Sequence, residues 1–431
     1  MSLPEKLEII PLVKPPSTTV RVPGSKSITN RALVLAALQS WNQDCTLSGA
    51  LHSEDTEVMV NGLRKLGFRV ETDWPLVRVH RHGADAIVPA DLADIFVANS
   101  GTAMRFLTGL CALGHGRYRL DGTSRMRERP VEDLLSALRG LGVKAYSEEA
   151  NGCPPVVVES DGWLPGPGTV IRGDVSSQFL SALLMVAPFN SPGPLQIILA
   201  GTLVSVPYVK LTEQMLLHWG ATWRILPDGY EFTFESIANF GCDRYAIESD
   251  ASAASYFLAA AAITGGDVCV AGLNCKSLQG DVRFVELLQE MGCRWIPSAI
   301  GLNLEGRPLH GITVDMNDIS DTVMTLAAVA CFAEGPTTIR NVAHIRHKET
   351  DRLTALATEL RRVGAEVDEY PDGLKITPRP LHGAEIETYN DHRMAMSMAL
   401  IGLKVPGIVI KNPGCVAKTY PGFFADLEKL R

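Results

Sequence analysis

Lys348 and Arg352 stand one helical turn apart in the strongest charged cluster of the sequence, His344-Ile345-Arg346-His347-Lys348-Glu349-Thr350-Asp351-Arg352. At a helix start that spacing turns both cations to one side. Glu349 then sits among cations, where it serves as a base or as an acid; the plainer alternative is a salt-bridged surface helix. Similar stretches recur. Pro23-Gly24-Ser25-Lys26-Ser27, with Asn30 and Arg31 one turn on, sets two cations beside serines at a glycine turn. Its likeness to a phosphate loop is superficial, because the Gly-Lys-Ser/Thr ending and the spaced upstream glycine are missing. Anion binding is favoured there over an ordinary capped helix with a solvent lysine. Asn99-Ser100-Gly101-Thr102, followed by Arg105, and Asp174-Val175-Ser176-Ser177-Gln178 read either as caps or as polar cradles, the second for an oxyanion or a sugar-like ligand. Arg125-Met126-Arg127-Glu128-Arg129-Pro130 is a basic run before a helix, in which Arg129 is a candidate clamp for phosphate or carboxylate. Asn390-Asp391-His392-Arg393 and Ala417-Lys418-Thr419 add cations at two further helix starts, and His392 alone reads as structural.

Lys26, Arg31, Arg129, Lys348, Arg352, Arg393 and Lys418 thus lie at equivalent helix starts in both halves of the chain. Each such start offers unpaired N–H groups and a partial positive charge. An inward-facing cleft of cations and helix dipoles suits small substrates with several negative charges. Asp321 and Glu349 are the carboxylates there with acid–base potential, besides Asp250 and Asp391.

The elements that must position these residues follow a repeat. Six segments begin with a polar or small cap and continue as a helix-length apolar run, at Ser25, Ser100, Ser176, Asp250, Asp321 and Asp391, with intervals of 75, 76, 74, 71 and 70 residues. A second helix in each repeat stops at a glycine, at Gly67, Gly142, Gly220, Gly292 and Gly364, with intervals of 75, 78, 72 and 72. Glycine in that slot suits a left-handed C-cap. Strand-like runs follow, such as Phe68-Arg69-Val70 and Ala365-Glu366-Val367. Two markers in step argue for six repeats of about 72 residues. The sixth is incomplete: its second helix, Phe423 to Leu430, meets the end of the sequence. Two strand-like runs before residue 24, Leu7-Glu8-Ile9-Ile10 and Thr18-Thr19-Val20-Arg21-Val22, are expected to supply the missing strands. Six units split as three plus three. The expected lobes are 25–247, and 1–24 joined with 248–431.

Composition sets outer limits. The 431 residues are 46% apolar and 20% charged, which excludes a disordered or fibrous chain. A net charge of −8 argues against non-specific nucleic-acid binding. Nine cysteines, an odd number at unrelated spacings, suggest neither a disulfide framework nor, without a Cys-x-x-Cys or His-Glu-x-x-His, a zinc site. Met1 to Lys6 has no cationic n-region or apolar h-region, and the most apolar stretch, Ala251 to Ile263, is shorter than the roughly 20 residues a membrane helix needs. The expectation is a cytoplasmic protein.

Taken in order, Pro23-Gly-Ser-Lys-Ser with Asn30-Arg31, Asn99-Ser-Gly-Thr-Ala-Met-Arg105, Arg127-Glu-Arg-Pro130, Val175-Ser-Ser-Gln178, Lys348-Glu-Thr-Asp-Arg352, Asp391-His-Arg-Met394 and Ala417-Lys-Thr419 resemble the EPSP synthase family of enolpyruvyl transferases. The resemblance runs along essentially the whole chain. It implies an α/β fold of two lobes, each of three βαβαββ repeats in an inside-out α/β barrel, with the active site in the interdomain cleft. It implies transfer of the enolpyruvyl group of phosphoenolpyruvate to the 5-hydroxyl of shikimate 3-phosphate, on the route to aromatic amino acids. No cofactor and no metal are expected. The expected partners are the two small-molecule substrates, with no nucleic acid and no membrane, on a monomer.

The resemblance also assigns residues. Shikimate 3-phosphate is expected to meet Lys26, Ser27, Arg31, Ser176, Ser177, Gln178, Ser205, Tyr208, Asp321, His344 and Lys348. Phosphoenolpyruvate is expected to meet Lys26, Asn99, Gly101, Arg129, Gln178, Arg352, Arg393 and Lys418. Asp321 takes the proton of the 5-hydroxyl, Glu349 protonates and then deprotonates the methylene, and Lys26 assists departure of phosphate. Three departures stand out: His344 occupies a place where the family often has Asn or Ser, Ser100 replaces a common Ala, and Phe106 replaces a common Pro. The family is the target of glyphosate, and Phe106 is expected to weaken that inhibition. The sister enzyme acting on UDP-N-acetylglucosamine usually carries a reactive cysteine before its Arg-Pro; here Ser124 takes that place. A non-catalytic anion- or nucleic-acid-binding relative would need neither Asp321 nor Glu349.

Overall fold

Along the strand Leu92–Phe96, Ala93 and Ile95 are buried while Leu92, Asp94 and Phe96 are exposed. That period of two belongs to a sheet with one face on a core and the other in water. The structure, a computed structural model, describes residues 3–83, 86–189, 194–225, 231–234 and 240–431. Residues 1 and 2 of the expected carboxy-terminal lobe lie outside these.

The second repeat shows the unit in full. Leu92–Phe96 leads into the helix Gly101–Cys111, the strand His115–Asp121, the helix Glu132–Gly140 and the strands Lys144–Ser147 and Val156–Asp161. The first two strands pair parallel, and Val156–Asp161 runs antiparallel between His115–Asp121 and Lys144–Ser147. This is a βαβαββ unit. Its two helices differ in kind. All residues of Gly101–Cys111 are buried, whereas Glu132–Gly140 buries only Leu134, Leu135, Ala137 and Leu138. A helix apolar all round belongs in the middle, and an amphipathic one at the surface. The same division holds for Ala251–Thr264 and His392–Gly402 against Arg352–Arg362. The fold is thus inside-out, with first helices packed on one another and sheets outside them. The second helices end as the glycines require: Gly67, Gly142, Gly220, Gly292 and Gly364 have φ of 88°, 85°, 88°, 113° and 105°, where a Cβ would be strained.

The chain divides into two compact units, one of Gly24–Ile247 and one of the residues up to Pro23 together with Glu248–Arg431. Each has its own apolar core. The amino-terminal strands are shared out differently from the simple expectation. Lys6–Ile9 runs antiparallel to Ile408–Lys411 and completes the sixth sheet. Ser17–Arg21 instead pairs parallel with Asp267–Ala271 in the fourth sheet. The reason lies in the first sheet, whose leading strand is Arg244–Ala246, parallel to Cys45–Ser48. The strand that precedes the first repeat therefore serves the fourth, and the strand that precedes the fourth serves the first.

One helix start also differs. Ser25, Ser100, Ser176, Asp250 and Asp391 each cap a first helix, with the side chain accepting a backbone N–H. Asp321 does not. It lies inside a single 3-10 turn, Ser320–Thr322, ahead of the helix Val323–Ala330. Its carboxylate is thereby released from capping.

Candidate active site

In the carboxy-terminal unit the released carboxylate meets Arg352. That residue opens the helix Arg352–Arg362, held in place because Asp351 caps the helix through Thr354 N–H. The Arg352 side chain is 1% exposed. Its Nε donates to Asp391 Oδ2 at 2.8 Å, Nη2 to Glu349 Oε2 at 2.8 Å, and Nη1 to Asp321 Oδ1 at 3.3 Å. Arg393 Nη2 donates to Asp321 Oδ2 at 2.7 Å. Lys348 Nζ lies 4.0 Å from Asp321, and Lys418 Nζ 3.9 Å from Glu349. Burial alone would lower the basicity of Arg352, but the charges of Asp391, Glu349 and Asp321 outweigh it and hold the guanidinium more firmly protonated than usual. Asp391 combines this bond with its cap, accepting Arg393 N–H at 2.8 Å. Asp250 likewise caps its helix through Ala253 N–H.

His344 sits at the edge of this cluster, 7% exposed, in the turn Ala343–His347. Burial, reinforced by Lys348, pushes its imidazole down to about 3. Asp281 is a member that sequence reasoning missed. Burial and the neighbouring charge of Asp321 push its carboxyl up to about 6, against a hydrogen bond donated by Ser252.

In the amino-terminal unit Ser25 caps the helix Lys26–Gln39. Lys26 Nζ lies 3.8 Å from Asp55 Oδ2, a buried carboxylate in the first turn of Glu54–Lys65 that sequence reasoning also missed. Arg31 is buried and donates Nε to Thr212 Oγ1 at 2.7 Å, Nη1 to the Ser27 carbonyl at 3.0 Å, and Nη2 to Ser181 Oγ at 3.3 Å and the Tyr208 carbonyl at 3.0 Å. Desolvation lowers its pKa to about 10. Ser205 precedes the helix Val206–His218 in the left-handed conformation, φ 54°, and makes no side-chain cap. Ser176 caps Ser177–Val186 through Gln178 N–H, and Gln178 Nε2 donates to Thr102 Oγ1 at 3.3 Å.

The basic run sorts itself. Arg127 turns to Asp121 and Arg125 to Glu128. Arg129 turns inward and donates Nη1 to the Asn99 carbonyl at 3.1 Å. Arg105 ties the two segments together through the carbonyls of Gly101 and Pro130. Gly101 leaves room for the Arg129 guanidinium: a Cβ there would lie 2.4 Å from Arg129 Nη2 and would push that group out of its present place.

The expected residues therefore fall into separate groups. Asp321, His344, Lys348, Glu349, Arg352, Arg393 and Lys418 gather around one buried guanidinium. Lys26, Ser27, Arg31, Asn99, Gly101, Arg129, Ser176, Ser177, Gln178, Ser205 and Tyr208 belong to the other unit, at the starts of its helices. A sequence signal for the missed acids exists: Asp55, Arg129, Ser205, Asp281, Glu349 and Lys418 fall near the start of the second helix in successive repeats. Among the described residues no group of three or more His, Cys, Asp or Glu could hold a metal ion, and no helix is long and apolar enough to cross a membrane.

Comparison with known proteins bears on this geometry. The sequence profile of EPSP synthase (3-phosphoshikimate 1-carboxyvinyltransferase) matches residues 13–427. A 3-phosphoshikimate 1-carboxyvinyltransferase of Nostoc punctiforme is 47% identical over 421 residues, covering 97% of this chain and 98% of that protein. The chloroplastic enzyme of Arabidopsis thaliana is 42% identical over 431 residues, covering 96% and 82%. A solved structure of EPSP synthase from Acinetobacter baumannii superposes with a TM-score of 0.80 at 25% identity, over 99% of this chain and 98% of that one.

Proposed function

The chain belongs to the EPSP synthase family, and we propose that the two groups of residues described above carry out that family's reaction. The enzyme transfers the enolpyruvyl group of phosphoenolpyruvate to the 5-hydroxyl of shikimate 3-phosphate, releasing phosphate. In our reading Glu349 delivers a proton to C3 of phosphoenolpyruvate, and positive charge develops at C2. Asp321 takes the proton of the 5-hydroxyl as its oxygen bonds to C2. The tetrahedral intermediate then returns the C3 proton to Glu349 and expels phosphate, with Lys26 beside the leaving group. Positioned carboxylates are suited to such transfers, and fixed cations balance charge on the phosphates and the carboxylate.

One observation carries this assignment: Asp321 and Glu349 are both bonded to the same buried guanidinium, Arg352, with lysines just beyond each. A shared anchor holds two carboxylates at fixed places without leaving either unpaired. Arg352, Arg393 and Lys418 then face phosphoenolpyruvate in the carboxy-terminal unit, with Lys26, Asn99, Gly101, Arg129 and Gln178 in the other. Ser27, Arg31, Ser176, Ser177, Ser205, Tyr208, His344 and Lys348 face shikimate 3-phosphate. The protein acts on these small molecules as a monomer in the cytoplasm. Phosphate release tests the reading. It should require phosphoenolpyruvate and shikimate 3-phosphate together; release with UDP-N-acetylglucosamine instead would assign the chain to the sister reaction.

A further inference from the structure

Glu349 stands on a stretch of chain without regular structure. The 3-10 turn Ala343–His347 ends before it, and the next helix begins only at Arg352. Lys348, Glu349 and Thr350 between them belong to no helix or strand. Arg352 Nη2 holds the Glu349 carboxylate at 2.8 Å. That bond is strong while the carboxylate is charged and weakens once it carries a proton. At that moment the place of the carboxyl depends on the backbone behind it.

Arg346 closes this stretch. Its Nη1 lies within hydrogen-bond distance of Asp351 Oδ1 and Oδ2, at 3.0 and 2.9 Å, of Glu369 Oε1 at 2.9 Å and of Thr354 Oγ1 at 3.1 Å. Nε donates to the Pro371 carbonyl at 3.0 Å and Nη2 to the Tyr370 carbonyl at 2.8 Å. One guanidinium thus ties the residue before the stretch to the residue after it, and both to the hairpin of Glu366–Tyr370 and Gly373–Thr377. The hairpin is itself anchored, since the Asp372 carbonyl accepts Val342 N–H at 2.9 Å and Asp372 Oδ2 accepts Asn341 N–H at 3.2 Å. Burial alone would lower the basicity of Arg346, but its bonds to Asp351 and Glu369 outweigh it and keep the fork charged.

We propose that Arg346 is a positioning residue for Glu349: it staples the 346–351 loop shut against the hairpin, so that the carboxyl keeps its place while it carries the proton. This rests on the reading of Glu349 as the proton carrier. None of the partners of Arg346 is a residue assigned to either substrate, so its effect runs through the loop.

A double-mutant cycle on the single-turnover rate at saturating substrates separates this from a general loss of structure. In Arg346→Lys an ammonium on a flexible stem cannot serve two carboxylates and two carbonyls in one geometry. The rate should fall about 10- to 100-fold, as misplacement of a reacting group does. In a Glu349→Gln background the same change should cost less than about two-fold, because the group to be positioned is already gone. Glu369→Ala removes one acceptor of the staple and leaves the loop sequence intact. It should slow the parent about 2- to 5-fold and again leave Glu349→Gln unchanged, and it decides the matter alone if Arg346→Lys does not fold. An equal loss in both backgrounds, or no loss in the parent, overturns the proposal while the reading of Glu349 stands. If Glu349→Gln by itself turns over like the parent, the reading of Glu349 is wrong, and the proposal falls with it.

Discussion

Arg352 and Arg31 are both buried guanidiniums near helix starts, yet their partners are opposite in kind. Arg352 bonds to Asp391, Glu349 and Asp321. Arg31 bonds to two hydroxyls and two carbonyls. The first arrangement is matched in charge before any ligand arrives, so it holds its carboxylates in fixed geometry. The second has only neutral acceptors as partners among the described residues, which suits the proposed binding of an anion. Burial is costly for both, since moving a charge out of water costs several kcal/mol even after relaxation. The contrast teaches that helix starts in the two units hold their buried guanidiniums in different settings, matched by carboxylates in the carboxy-terminal unit and among neutral acceptors in the other; the proposed roles, proton transfer for the first and phosphate binding for the second, rest on that difference.

Removing each guanidinium should break the contrast in unequal ways. Arg352→Met leaves three buried carboxylates without their common partner, and should lower the unfolding free energy by about 3–5 kcal/mol. Arg31→Met leaves only neutral acceptors behind and should cost no more than about 2 kcal/mol. Urea denaturation of the two variants checks this; equal losses would mean that charge matching does not distinguish the sites.

His344 gives the next effect, through pH. Its folded pKa is about 3, against an unfolded value of roughly 6.5. Below that value the unfolded chain takes up a proton that the folded chain refuses, so stability is complete above about pH 6.5 and is lost as pH falls. His344→Asn should remove this part of the acid sensitivity, about 2–3 kcal/mol between pH 7 and pH 4. Parallel acid-unfolding curves for the two proteins would show that His344 is not held neutral in the fold.

Much of this was legible because the repeat is regular. Cap residues and C-terminal glycines recur at nearly constant intervals, and local backbone chemistry fixes both. The families of side chains at the helix starts could be read from the same intervals. What escaped was whatever depends on a partner far along the chain. Nothing local to Ser17–Arg21 says that it joins the fourth sheet and not the sixth, since strand pairing is decided by where the chain crosses between units. Nothing local to Asp321 says that it gives up capping for Arg352 and Arg393. Asp55 and Asp281 lie at the repeat interval but carry no conspicuous motif. Phe106 was visible as a departure, and its contact with Arg31, 75 residues earlier, was not.

Ligand response should sharpen the comparison further. Because shikimate 3-phosphate contacts are assigned to residues of both units, its binding should favour closure and lower the radius of gyration in small-angle scattering; an unchanged value at proven saturation would count against hinge closure. The smallest effect concerns glyphosate. Phe106→Pro should lower the ratio of the glyphosate inhibition constant to the KM of phosphoenolpyruvate, on the order of 3-fold. A ratio that stays the same or rises would show that Phe106 does not weaken the inhibitor.

The division of labour itself is tested by measuring shikimate 3-phosphate affinity and single-turnover rate on Glu349→Gln and Arg31→Gln side by side. The amide at position 349 cannot exchange a proton with C3, so the rate should fall on the order of 10²–10⁴-fold while affinity stays near the parent value. Arg31→Gln should do the reverse, weakening affinity at least about tenfold while the rate at saturation is kept. A Glu349→Gln enzyme that turns over normally, or an Arg31→Gln enzyme that binds normally but cannot turn over, would contradict the account.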